Sequence, residues 1–221
     1  TDEEIEKGVQ LAREWGTATV CARPSDMAKV VPLLKGSDVL PCAVIGFPHG
    51  ANRTEVKALE AELAIEEGCA EIDMVLNIGK LKSGEYAYVE NDIRAVAEIA
   101  NKKGAVLKVI FENCYLTDEE KIAACQISER AGADFVKTST GFGTSGAKMD
   151  DLKLMRAHTS EKVQVKASGG IRDLDTVLAA RALGCTRCGV SSIVKILEEA
   201  QRRQAEGTLD KAADAEFGEG Y

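Results

Sequence analysis

Hydrophobic positions along the chain fall into short β-branched runs separated by longer stretches in which apolar and charged residues recur at helical spacing. Five times the junction reads helix, glycine, strand, at Gly16, Gly68, Gly104, Gly132 and Gly184. Glycine at the end of a helix reaches the left-handed conformation without a Cβ penalty. Thr1-Asp-Glu-Glu4 and Thr117-Asp-Glu-Glu120 match the capping box that opens a helix. Strand candidates fall at 17–23, 41–47, 70–77, 105–112, 134–140, 163–168 and 185–191. The unit repeats every roughly 26 to 36 residues, the size of one strand plus one helix.

Strands alternating with helices predict a parallel sheet covered by helices, and the length fits an α/β fold of the (β/α)8 TIM-barrel type. Seven strands are one too few for that barrel. The chain opens inside a helix, so the first strand is expected to be absent from this sequence; an open doubly wound sheet is the alternative. Residues 1–203 are expected to form a single barrel domain, with a last helix over 192–203 and a polar C-terminal tail over 204–221.

Alternation along the strands assigns their faces. In Glu71–Asn77, Ile72, Met74 and Leu76 form the outward apolar set, which turns Glu71, Asp73, Val75 and Asn77 inward. In Val106–Glu112 the same reasoning leaves Lys108 and Glu112 inside. It also places Phe135, Lys137 and Ser139, and then Gln164, Lys166 and Ser168, on the inner face. Four successive strands therefore aim Asp73, Lys108, Lys137 and Lys166 at one interior. A structural ion-pair plug is the plainer account of one such lysine. Three lysines and an aspartate converging from neighbouring strands favour a chemical site, because perturbed titratable groups cluster where reactions occur.

Composition narrows the chemistry. Lys and Arg number 28 against 36 Asp and Glu, a net charge of −8, so a basic footprint for nucleic acid is missing. No apolar run approaches the roughly 20 residues of a membrane helix, and the acidic start is not a signal peptide. A cytoplasmic protein without a membrane partner is expected. Two histidines, His49 and His158, exclude a His-rich metal centre. Seven cysteines, an odd number in a chain without an export signal, read as reduced thiols. Cys185 and Cys188 are spaced as a CxxC pair, but on a strand they point to opposite faces and read as ordinary buried thiols.

A second ammonium or desolvation lowers a lysine's pKa and frees its amine to attack a carbonyl. Lys137 and Lys166 fit that arrangement, one as nucleophile and the other as cationic neighbour, and Asp73 fits as a proton carrier. The result is Schiff-base chemistry that needs neither metal nor cofactor. Two late strands end in Gly169-Gly170 and in Gly189-Val-Ser191-Ser192, with Arg172 close by, where backbone N–H groups bind phosphate. Thr140-Gly-Phe-Gly-Thr-Ser-Gly146 reads as a third loop over the same mouth.

At these residues the chain resembles the deoxyribose-phosphate aldolases, a class I aldolase family. The matching stretches are Val44-Ile-Gly-Phe-Pro-His-Gly-Ala-Asn52, Glu71-Ile-Asp-Met-Val-Leu-Asn-Ile-Gly79, Leu107-Lys-Val-Ile-Phe-Glu112, Phe135-Val-Lys-Thr-Ser-Thr-Gly141, Val165-Lys-Ala-Ser-Gly-Gly-Ile-Arg172 and Gly189-Val-Ser-Ser192. The resemblance implies that Lys137 is the Schiff-base lysine, Lys166 the lysine that lowers its pKa, and Asp73 the proton relay. It implies phosphate contacts at Gly169, Gly170, Gly189, Ser191 and Ser192, while Lys108 and the terminal Tyr221 are expected to support catalysis. The implied substrate is a small phosphosugar, and a homodimer or homotetramer is the implied assembly. Two features depart from the family: no Asp-His-Thr-type opening strand is found, and Phe142 stands where some members carry a phosphate-contacting lysine. Two competing expectations are another Schiff-base aldolase or transaldolase-like enzyme, and a non-catalytic phosphosugar-binding barrel. Borohydride trapping with acetaldehyde separates the enzyme from the binding module.

Overall fold

The computed structural model describes residues 1–209. Strands β1 (Thr19–Ala22), β2 (Leu40–Ile45), β3 (Glu71–Val75), β4 (Val106–Ile110), β5 (Phe135–Lys137), β6 (Gln164–Ser168) and β7 (Cys185–Gly189) coincide with the seven sequence candidates. Helices are α1 (Asp2–Trp15), α2 (Met27–Leu34), α3 (Thr54–Glu66), α4 (Ile78–Lys82), α5 (Tyr86–Lys103), α6 (Asp118–Ala131), α7 (Met149–Ala157), α8 (Leu174–Ala182) and α9 (Ile193–Ala205). The strands lie in one sheet in chain order, β1 to β7, and every pairing with a described register is parallel. This strand–helix alternation around a parallel sheet is the barrel-type α/β fold that the pattern predicts.

The expected helix signals form. Thr1 and Glu4 close a capping box at the start of α1. Thr117 and Glu120 exchange backbone and side-chain hydrogen bonds of 2.9 and 3.3 Å at the start of α6. All five junction glycines have positive φ. Helix α9 runs two residues past the predicted end at 203.

The described chain forms two compact units. The first comprises Thr1–Val109 with Arg130–Asp134; the second comprises Ile110–Glu129 and Phe135 onward. In the first, β3 is buried on both faces. Its polar interior contains a pair that strand alternation does not reveal. Lys57 on α3 donates to Asp92 Oδ2 on α5 at 2.6 Å and to the Val75 carbonyl at the end of β3 at 2.9 Å. Thr54 donates to the other Asp92 oxygen at 2.9 Å. Both charged side chains are fully buried. Burial pulls Lys57 below the ordinary lysine range, and the Asp92 charge offsets part of that effect. Gly46, at φ 60°, leaves room for the lysine stem: a Cβ there would sit 2.8 Å from Lys57 Cε.

In the second unit a similar clamp ties α6 to α7. Lys121 Nζ lies 2.7 Å from Asp151 Oδ1, and Asn113 Nδ2 donates to Asp151 Oδ2 at 3.2 Å. The ends of β5 and β6 are stitched by Thr138, which donates to the Ser168 carbonyl at 2.9 Å and accepts from the Ser168 N–H at 3.0 Å.

Removing one member of a buried ion pair strands the other charge, at a cost of about 3–5 kcal/mol. Lys57→Met is expected to destabilise the protein on that scale in urea unfolding. Lys57→Met combined with Asp92→Leu should cost clearly less, since no buried charge is left unmatched.

Candidate active site

Two groups of polar side chains occupy the strands, one in each unit. In the first unit, Asp73 and Glu71 sit two apart on β3 and therefore face the same way. Lys108 Nζ on β4 meets both, at 2.7 Å from Asp73 Oδ1 and 2.5 Å from Glu71 Oε2. All three are buried. Burial works against the Lys108 charge, but Asp73, Cys42 and Glu71 outweigh it and hold the ammonium above the ordinary lysine range.

Cys42 on β2 donates its S–H to Asp73 Oδ1 at 3.3 Å, and Lys108 Nζ lies 3.7 Å from the same sulfur. The hydrogen bond with Cys21, burial and the Asp73 charge together push the Cys42 thiol well above its usual range. The predicted inward face of β3 and β4 is thus real within this unit, with Glu71 as the partner of Lys108. Asn77 departs from the prediction: it lies past the end of β3 and caps α4, accepting from Lys80 N–H at 3.1 Å.

In the second unit, Lys137 on β5 stands in register with Lys166 on β6, and both are buried. Parallel strands in register bring the two side chains side by side on one face. Ser168 at the end of β6 donates to the Ser139 carbonyl at 2.7 Å, which ties the chain just beyond each lysine. Gly189 lies next to this pair, since a Cβ there would come 3.6 Å from Lys166 Cε and 3.1 Å from Ser168 Cβ.

Strand β7 adds a third cation. Arg187 is in register with Lys166, and its guanidinium lies 5.7 Å from the centre of the Phe135 ring. Sequence alternation misses it because the register shifts between Val165 and Lys166, leaving Thr186 as an extra residue on β7.

The expected phosphate loops follow β6 and β7, which are hydrogen-bonded neighbours. Gly169 and Gly170 have φ of 84° and 77°, backbone that side-chain-bearing residues rarely adopt. Gly189 ends β7, Ser191 is exposed, and Ser192 precedes α9 without spending its side chain on a cap hydrogen bond. The first-turn N–H groups of a helix lack intrahelical partners and draw anions. The 140–146 loop is anchored beside them: a Cβ on Gly146 would come within 2.3 Å of the Gly169 backbone, and Ala147 N–H donates to Ser168 and Gly169 carbonyls, both at 3.1 Å. Phe142, at the loop tip, is 73% exposed.

Glu112, predicted to face inward from β4, instead lies beyond that strand at φ 56°. Its carboxylate accepts from the Thr140 hydroxyl and from Thr140 N–H at 3.3 Å, which holds the left-handed backbone in place. Tyr221 lies outside the described residues. A cleft of about 630 Å³ between α8 and α9 is a separate feature, lined by Asp175, Glu199 and Arg203, where Arg203 is paired with each carboxylate at 2.6 Å. Cys185 and Cys188 are free thiols; against the expectation of opposite faces, the register shift pairs them with Val165 and Ala167, two apart on β6, so they share a face. Burial raises them to about 12 and about 11, as inert thiols require.

Known proteins share this sequence and fold. The DeoC/LacD family aldolase profile matches residues 2–198. The deoxyribose-phosphate aldolase of Rhodopirellula baltica is 46% identical over 218 residues, covering 99% of this chain and 90% of that protein. The deoxyribose-phosphate aldolase of Caldanaerobacter subterraneus is 53% identical over 200 residues, 90% of this chain and 87% of that protein. Among solved structures, the tetrameric deoxyribose phosphate aldolase of Aeropyrum pernix superposes with a TM-score of 0.84 at 34% identity, covering 91% of this chain and 85% of its own. With the family profile, these relatives and the fold in agreement, the chain belongs to the DeoC/LacD family of aldolases.

Proposed function

We propose that the protein is a class I aldolase that cleaves 2-deoxy-D-ribose 5-phosphate reversibly to D-glyceraldehyde 3-phosphate and acetaldehyde. The relatives' shared activity supports the substrate, and the observation that carries the chemistry is the in-register pair Lys137 and Lys166. Lys137 attacks the C1 aldehyde and water leaves, giving a protonated imine. Loss of the C3 hydroxyl proton then breaks the C2–C3 bond, releasing D-glyceraldehyde 3-phosphate and leaving the two-carbon enamine on the lysine. Protonation at C2 and hydrolysis return acetaldehyde and the free amine. The imine acts as the electron sink, so the reaction needs no cofactor.

Lys166 is assigned as the cationic neighbour that keeps Lys137 unprotonated. Asp73 is assigned to proton transfer, directly or through water. Gly169, Gly170, Gly189, Ser191 and Ser192 are assigned to the phosphate. None of the described helices is long and apolar enough to cross a membrane. We place the enzyme in the cytoplasm as a homodimer or homotetramer, in line with the tetrameric relative.

Borohydride added with acetaldehyde or substrate should attach mass to the peptide carrying Lys137. Lys137→Leu should lose both labelling and turnover while keeping its circular dichroism spectrum; adduct on Lys166 would reverse the two roles.

Lys166→Leu should cut turnover about 100- to 1000-fold at neutral pH, the effect of a two- to three-unit rise in the nucleophile's pKa on its free-amine fraction. Activity should return in part as pH rises and deprotonates Lys137. A loss that is the same at every pH would assign Lys166 a direct chemical step instead.

Ser192→Asp places a negative charge beside the phosphate donors. KM for the phosphorylated substrate should rise about 10-fold or more, the scale of one charge-assisted hydrogen bond. Unphosphorylated deoxyribose should be affected much less, and equal losses would show that these loops only shape the fold.

A further inference from the structure

Strands β1 and β2 place two thiols beside Asp73 that the aldol reaction does not use. Cys21 and Cys42 are register partners on neighbouring parallel strands, so their side chains leave the sheet on the same face. The two sulfurs and an Asp73 carboxylate oxygen all lie within 4.8 Å of one another. Cys42 is buried and already contacts Asp73 at 3.3 Å, whereas Cys21 is exposed and opens a path from solvent. Two sulfurs and one oxygen make a donor set for a soft or borderline divalent cation. Three protein ligands with one position left open is the pattern of accessible zinc sites.

We propose that Cys21, Cys42 and Asp73 form a binding site for a thiophilic divalent cation of the zinc or cadmium class, and that its occupancy inhibits the enzyme by withdrawing Asp73 from proton transfer. The inhibitory half rests on the aldolase reading above; the binding half does not.

The exchange balances in charge. With both thiols protonated, Glu71, Asp73 and Lys108 sum to one negative charge. A divalent cation that binds both sulfurs releases two protons to solvent, and the cluster keeps the same net charge. No new charge is buried, and coordination itself deprotonates a thiol. Lys108 is not stranded when the cation takes up Asp73, because its contact with Glu71 at 2.5 Å remains. No oxidant is involved, and the cation is removable by a chelator.

The test uses the full-length protein, reduced with a phosphine and freed of metal, titrated with Cd²⁺ alone. One equivalent should produce a thiolate-to-cadmium charge-transfer band, reversed by EDTA. The band should vanish in Cys21→Ser and Cys42→Ala and persist when Cys185 and Cys188 are both replaced by alanine. Cys21 is exposed and outside the catalytic assignments, so Cys21→Ser keeps the test decisive even where Cys42→Ala fails to fold. Cys21→Ser should retain metal-free activity and be about 10-fold or more less sensitive to Cd²⁺. Absence of the band at one equivalent, or its persistence in Cys21→Ser, overturns the site. A normal band with undiminished turnover overturns the inhibition alone. Failure of the aldolase assay itself would count against the proposed reaction and leave the binding result standing.

Discussion

Burying a lysine ammonium is costly unless counter-charge travels with it, and three such matched clusters organise much of the interior. Lys57 is matched by Asp92, Lys108 by Glu71 and Asp73, and Lys121 by Asp151. Each pair joins elements distant in sequence, so each acts as a clamp as well as a charge balance. The Lys108 cluster has a further effect, because the groups that satisfy the lysine also hold Asp73 in one orientation.

The lysine pair of β5 and β6 follows a different design. Lys137 and Lys166 project from hydrogen-bonded strands rather than from loops, and the Thr138–Ser168 exchange locks the strand ends just beyond them. Side chains carried on a rigid ladder keep a fixed spacing, which side chains on loops do not. The loops that follow β6 and β7 are built instead from small residues, whose exposed backbone suits a phosphate.

Much of this was legible in the sequence. The seven strands stand out because β-branched runs are bounded by glycines, and the faces of β3 to β6 follow from simple alternation. That is how the sequence pairs Asp73 with Lys108 in one unit and Lys137 with Lys166 in the other. Alternation fails wherever the backbone departs from a regular strand. Arg187 is hidden by the irregularity opposite Lys166, Glu112 by its left-handed backbone, and Asn77 by the start of a helix. Lys57 and Asp92 escape for another reason: a lone charge on a helix reads as solvent-facing, and only the packing of α3 on α5 shows otherwise. The contact of Cys21 with Cys42 needs strand register, which one sequence does not supply.

The close approach of Gly146 to Gly169 bears on how this enzyme could be diversified. Position 146 admits no side chain, because the backbone after β6 occupies the space. The preceding tip is open, with Phe142 largely in solvent. A directed-evolution library spread evenly over 140–146 would waste its diversity at the anchored end. Confined to 142, 144 and 145, since Gly141 at φ 97° and Gly143 beside Cys114 also resist side chains, it explores new loop shapes while the foot of the loop stays bound to the backbone after β6.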